Sequence, residues 1–404
     1  MTTTAAADLR SLIDTDLPRA TEVRRDLHAH PELMFKEERT AKVVQDELRG
    51  AGVEFAAGLA RGTGVLGYLP ATGDPGSART IGLRADMDAL PITEDTGVPY
   101  ASTNTGVMHA CGHDAHTAIL AATARVLSRA PERPNNVVFI FQPAEEGGAG
   151  GDLMVKDGAL DGSAIGTPVD QLYGLHGWPM FPLGHLSTRP GPVLASCDEF
   201  WATINGRGGH AAMHHLTVDP VVAAAHIVTS LQTIVSRNVD PAHGRVLSVT
   251  DISTPNDATN VVPPCATIRG TVRTLDEHDR AVIRDRFHAV VTKTAEALGC
   301  TAEITYKSDY PVTANDPGAT ERFFEIARTT FGEQRVGVVP EPCMGAEDFS
   351  FYCQKVPACF FLIGLDETGE GRMPGLHTPQ FDFNDKALPT AIEAMCRLAL
   401  TPLN

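Results

Sequence analysis

No stretch of this 404-residue chain is long or apolar enough to span a bilayer. Its first residues, Met1 to Asp16, are small, polar and acidic, and lack the basic and apolar regions of a secretory signal. The expectation is a cytoplasmic protein with no membrane partner. Basic residues are scarce: 33 Lys and Arg stand against 50 Asp and Glu, a net charge of −17. Such a chain repels a phosphate backbone, which argues against nucleic acid as a partner. The eight cysteines show no paired spacing. A chain this long needs no disulfide staples, and in a reducing compartment most cysteines are packing residues. Cys111 is the exception, because its neighbours are polar and of ligand type.

The length exceeds what one hydrophobic core usually serves, so two domains are expected. Thr21 to Arg49 reads as helix interrupted near His30-Pro31. Short apolar runs predict buried strands over 79–84, 136–141, 171–175 and 358–363, with a helix over 117–130. Polar clusters follow the carboxyl ends of these strands. In an open α/β sheet that edge is where ligands bind. The middle of the chain differs. Strands over 198–206, 245–253, 265–274 and 301–307, with helices over 220–237 and 275–298, give the order β-α-β-β-α-β of a ferredoxin-like sandwich. The predicted fold is therefore α/β. A catalytic domain over 1–195 and 309–404 has a mostly parallel mixed sheet flanked by helices, and a ferredoxin-like α+β domain over 196–308 is inserted into it.

Four polar clusters carry the chemistry. Met108-His-Ala-Cys-Gly-His-Asp-Ala-His116 sets a thiolate donor, Cys111, two residues from an imidazole donor, His113. Asp86-Met-Asp88, Glu145-Glu146 and two later histidines, His176 and His377, complete the set. Cys111, His113, Glu146, His176 and His377 supply five donors for two divalent transition-metal ions and leave positions open for water and substrate. A thiolate can bridge two ions, so Cys111 is the natural shared donor. Zinc, manganese, cobalt and nickel all suit mixed S, N and O donors. Adjacent carboxylates in extended backbone point to different sides. Glu146 is thereby assigned to metal and Glu145 to the general base. Asp86 and Asp88 are read as orienting the ligands from behind. His109 and His116 are candidates for the same supporting role; His226, His243, His278 and His288 read as structural.

At this point the residues resemble a known family. Gly82-Leu-Arg-Ala-Asp-Met-Asp-Ala-Leu-Pro91, His109 to His116, Phe141-Gln-Pro-Ala-Glu-Glu-Gly147, Leu175-His176, Gly206-Arg-Gly-Gly-His210 and Met344-Gly-Ala-Glu-Asp-Phe-Ser350 are similar to motifs of the metal-dependent amidohydrolases. These are the relatives of hippurate hydrolase, the N-acyl-amino-acid aminoacylases and the hydrolases of indole-acetyl amino acid conjugates. They form a branch of the dinuclear aminopeptidase/carboxypeptidase family. The resemblance runs from Leu27-His-Ala-His-Pro-Glu32 to Leu376-His-Thr-Pro379. It implies the same five metal ligands and Glu145 as base. It also implies that His210 reaches from the small domain of one subunit into its partner's site. Asn260 and Arg273 would hold the substrate's carboxylate and carbonyl, and the protein would be a homodimer or larger homo-oligomer. One departure is visible: His214-His215 stands where the family has a proline.

The implied reaction is hydrolysis of the amide bond of a small-molecule N-acyl amino acid. Glu145 would take the water's proton and His210 would steady the oxyanion. A dipeptidase or carboxypeptidase is the alternative on the same scaffold. Two other classes make distinct predictions. A hydrolase using Cys111 as nucleophile would survive a chelator. A silent metal-binding protein would turn over no N-acyl amino acid with its metals loaded.

Overall fold

A computed structural model describes residues 3–403. The chain divides into two compact units. One comprises the chain up to Val193 with Ala314–Pro340 and the segment from Asp348 onward; the other is Leu194–Thr313 with Glu341–Glu347. The strand pattern left Glu341–Glu347 with the larger domain. It groups with the smaller unit because Leu194 bridges Cys343 and the Ala195 N–H donates to the Cys343 and Gly345 carbonyls.

The larger unit is built on an eight-stranded mixed sheet. Its centre is four parallel strands in the spatial order Asn136–Gln142, Thr80–Asp86, Gln171–Pro182, Ala358–Asp366. Every residue of the 80–86 and 136–142 strands is buried. Continuous runs such as Val137-Val-Phe-Ile-Phe141 are what a sheet covered on both faces requires. On one side Gly64–Leu69 joins antiparallel, with Glu54–Leu59 beyond it as the edge; on the other Leu186–Thr188 joins antiparallel, with Val336–Val338 parallel to it at the edge. His113–Arg129 is a largely buried, alanine-rich helix that packs on Thr3–Ala29 and Leu388–Leu400. Small side chains let three helices approach closely.

The expected interruption near His30-Pro31 separates two helices, Thr3–Ala29 and Glu38–Gly50, but the bounds differ from the reading over 21–49. The first begins in the segment read only as polar and acidic, because Leu9 and Ile13 recur at helical spacing and are buried in the core. The 113–129 helix begins directly after Gly112, ahead of the periodic stretch over 117–130 and with Asp114 in its first turn. Gly112 has φ 89, a left-handed turn that a residue with Cβ disfavours. That turn puts Cys111 just before the helix and His113 in its first position.

The smaller unit is a four-stranded antiparallel sheet in the order Arg245–Ser253, Cys265–Thr274, Asp198–Asn205, Thr301–Ser308. The helices Pro220–Arg237 and Glu277–Ala297 share a core with one sheet face through Phe200, Ile204, Ile227, Ile268 and Phe287. Numbered along the unit, the strands lie 2-3-1-4, the ferredoxin-like arrangement. Asp219 caps the first helix by accepting the Val221 N–H at 2.9 Å. Among the described residues, no helix is long and apolar enough to cross a membrane.

Candidate metal centre

Parallel strands place all their carboxyl ends at one sheet edge. Asp86 pairs with Gln142 and Leu362 with His176, so the segments carrying Asp86–Asp88, Glu145–Glu146 and His176 meet there. Cys111 Sγ lies 3.3 Å from His176 Nε2 and 3.3 Å from His377 Nε2. His377 Nε2 is 3.2 Å from Glu146 Oε1. Two donor sets result, Cys111–His113–His176 and Cys111–Glu146–His377. They share only the thiol. A third set, His113–Glu145–Glu146, puts Glu145 beside both, with its donor atoms within 4.8 Å of one another.

The second set of contacts explains why these side chains stand ready to bind. The His113 Nδ1–H donates to the Asp88 carbonyl at 2.9 Å, leaving Nε2 buried and without a hydrogen-bond partner. The His176 Nδ1–H donates to the Gly177 carbonyl at 2.8 Å, which turns its Nε2 lone pair toward Cys111. A buried imidazole nitrogen with no partner is costly unless something else occupies it, and fixing the other nitrogen is how proteins orient a metal-binding histidine. His116 is different. Its Nε2 accepts the Gly177 N–H at 3.0 Å and its Nδ1–H donates to Asp86 at 2.7 Å. Both nitrogens are committed, so His116 supports the cluster. His109 is fully buried with neither ring nitrogen partnered, and burial lowers it to about 4, so it is neutral.

Asp88 organises the Glu145–Glu146 segment. Its two carboxylate oxygens accept the N–H groups of Glu145 and Glu146, each at 3.0 Å. The segment is a tight turn rather than the extended backbone expected from the sequence, and Ala144 before it has φ 57. A left-handed alanine costs roughly 1–2 kcal/mol. Each hydrogen bond to a charged acceptor returns about 1.5–3 kcal/mol. The bonds therefore win, and both carboxyl groups face the cluster instead of opposite sides.

Electrostatics agree with a cation site. Burial, then Glu146, Glu145 and Asp86, push the Cys111 thiol well above the usual thiol range. A neutral buried thiol is a poor nucleophile. Burial alone would lower His113, but Asp86, Asp88 and Glu146 outweigh it and raise the imidazole to about 10. Burial opposes ionisation of Asp86, yet His113, Arg84 and His116 hold it well below the carboxylate range. A crowd of acids and imidazoles at the dry end of a sheet is the environment that divalent cations neutralise. The residues present fit such a group.

The sets also differ in access. Cys111, His113 and His176 are buried, whereas the His377 side chain is 52 % exposed and Glu146 12 %. His377 itself has φ 62 and is held by donating its N–H to the Ala110 carbonyl at 2.8 Å.

Behind the cluster is an ionic network not foreseen from the sequence. Arg84 is fully buried and donates to Asp86 at 2.6 Å, Gln142 at 2.9 Å and Asp348 at 2.8 Å. The Asp348 N–H reaches Glu145 Oε1 at 3.4 Å. The available signal was an arginine and an aspartate two apart, on one face of an otherwise apolar strand.

A second network lies at the base of the 113–129 helix. Asp114 accepts His28 Nδ1–H at 2.7 Å and pairs with Arg24 Nε at 3.1 Å, while His28 Nε2 faces Glu94 at 3.2 Å. Burial would lower His28, but Asp114 and Glu94 override it and raise it to about 9. A raised histidine stabilises fully below its unfolded value near 6.5, and that stability is lost as pH rises through 9. The stake is on the order of 3 kcal/mol. Wild type should therefore melt well above His28→Gln at pH 6, and the gap should narrow by pH 9.5. A gap independent of pH would show that His28 is neutral in the fold.

His210, Asn260 and Arg273 lie on the smaller unit. His210 pairs with Val261, and the Ala211 N–H donates to the Asn260 carbonyl at 3.0 Å, so these two are neighbours. His210 is exposed, and its Nδ1 accepts the Ala212 N–H at 3.1 Å. Arg273 sits in the 265–274 strand opposite Val246. His214-His215 forms part of an exposed short helix, Ala211–Leu216.

The chain is similar to known proteins over nearly its whole length. The chain is 38% identical over 372 residues to the IAA-amino acid hydrolase ILR1-like 4 of Arabidopsis thaliana, covering 91% of this chain and 82% of that one. It is 36% identical over 386 residues to the N-acetylcysteine deacetylase of Bacillus subtilis, covering 95% and 97%. The crystal structure of the Bacillus subtilis YXEP protein, described as a dinuclear metal binding peptidase from the M20 family, superposes with a TM-score of 0.80. It is 33% identical and covers 96% of this chain and 98% of that chain. The pattern of Peptidase family M20/M25/M40 matches residues 82–401, and the chain belongs to that family.

Proposed function

We propose that this hydrolase cleaves the amide bond of N-acyl amino acids, giving a carboxylic acid and a free amino acid. The observation that carries the reading is the pair of donor sets sharing Cys111, with Glu145 beside them and not needed by either. Cys111, His113, Glu146, His176 and His377 would hold two divalent ions of the zinc, manganese, cobalt or nickel class. When bound, such ions polarise a carbonyl and lower the pKa of water.

The chain's own groups do the rest. Glu145 accepts the water's proton and delivers it to the leaving nitrogen. Asp88 fixes the turn from which Glu145 projects. Asp86 holds His116, which in turn holds the Gly177 backbone next to His176. His210 donates to the developing oxyanion, and Asn260 and Arg273 receive the substrate's carboxylate. Support for these three is their chemistry: an exposed imidazole, an amide and a planar guanidinium fork. A homodimer, or larger homo-oligomer, is the assembly the family resemblance favours, and the cytoplasm is the location the character of Met1 to Asp16 favours.

A substrate panel tests the reading. Acetyl-, benzoyl- and indole-acetyl amino acids should be hydrolysed with higher kcat/KM than dipeptides. The YXEP protein's description as a peptidase makes dipeptides the necessary comparison. Preference for dipeptides would replace this reading with the peptidase one, and no turnover of any amide by metal-loaded protein would remove both.

A further inference from the structure

We propose that Glu37 is a positioning residue for the Glu145–Glu146 turn, a role that rests on reading Glu145 as the general base. Glu37 is fully buried and precedes the Glu38–Gly50 helix. Glu37 stands at the N-cap position but makes no cap bond. Glu32 does that work, accepting the N–H groups of Arg39 at 3.0 Å and Thr40 at 2.8 Å. Glu37 is thereby free to turn away.

Its side chain reaches the turn more than a hundred residues downstream. Oε1 accepts the Ala144 N–H at 2.9 Å, and Oε2 accepts the Thr63 hydroxyl at 2.9 Å. Asp88 takes the next two N–H groups, those of Glu145 and Glu146. Three successive amides of one turn therefore end on two buried carboxylates. A row of N–H groups of this kind is an anion-binding concavity. Here the protein fills it with its own side chains. Ala144 is the residue in the left-handed region, so Glu37 grips the bend where the backbone is strained. Thr63, itself buried, fixes the second oxygen and hence the angle of the first.

The consequence is specific. Losing Glu37 frees the Ala144 amide and lets Glu145 drift, and a displacement near 1 Å at a reacting group costs on the order of 100-fold in rate. Glu37→Ala should lower kcat by roughly 10- to 100-fold with KM little changed. Deuterium exchange of the 142–148 segment should rise at the same time. Glu37→Gln should restore most of kcat, because its carbonyl oxygen can accept the Ala144 N–H while its amide donates to Thr63. Should Glu37→Ala not fold, Glu37→Asp serves: it is too short to reach both partners and should lose kcat likewise.

A lowered melting temperature with unchanged kcat in Glu37→Ala or Glu37→Asp would overturn the proposal. So would unchanged exchange at 142–148. Glu145→Gln measured in parallel separates the two readings. An active Glu145→Gln removes the base assignment, whereas an inactive Glu145→Gln beside a fully active Glu37→Ala removes only the role of Glu37.

Discussion

Glu145→Gln should leave metal binding intact and lower kcat by about 10²- to 10⁴-fold, the range that a positioned general base contributes. The substitution is nearly isosteric. The turn is held through backbone N–H groups by Asp88, so its shape survives the change. Glu146, the donor beside His377 and Cys111, is untouched. What disappears is the capacity to accept a proton next to the His113–Glu146 cluster. KM should change little, because the effect belongs to the chemical step. The measurement is steady-state kinetics with metal content on the same sample. Near wild-type turnover would show that another group handles the proton, with Asp348, whose N–H approaches Glu145, the first to examine.

Much of this centre was legible before any coordinates. Strands covered on both faces are continuous apolar runs, so Val137 to Phe141 and Cys359 to Ile363 announced themselves, and the donors that follow them had to share a sheet edge. The ferredoxin-like unit was legible for a related reason: its strands alternate and its first helix, Pro220–Arg237, is strongly periodic. The Glu145–Glu146 turn was not legible. Its geometry is set by Asp88 and Glu37, both remote in sequence, acting on a left-handed alanine that no local preference predicts. Arg84 was passed over because a charged residue inside a buried strand makes sense only once Asp86, Gln142 and Asp348 surround it. His116 and His109 were read alike from the sequence as supporting candidates, and only the contacts separate them: both nitrogens of His116 are occupied and neither of His109's is.

The second large effect is expected at Cys111. It is the one donor common to both sets, so Cys111→Ala leaves each with two donors. A bound cation keeps the thiolate deprotonated; alanine offers nothing in exchange. Both ions should be weakened together, and activity should fall by more than the roughly 10- to 100-fold that loss of a mere supporting partner costs. The side chain is small and buried, so the fold should tolerate its truncation. His377→Ala makes the informative contrast. It removes a donor from the open set only, and close to one ion per chain should remain. If Cys111→Ala retained full metal yet lost all activity, the thiol would act as a nucleophile and not as a ligand.

The most direct measurement is a metal count on purified protein, before and after a strong chelator, with hydrolysis of an N-acyl amino acid followed on the same samples. Two divalent ions per chain should be present at the start. Stripping should abolish hydrolysis, and zinc, manganese, cobalt or nickel should restore it. Protein that stays fully active with no ion bound would contradict the account at its root.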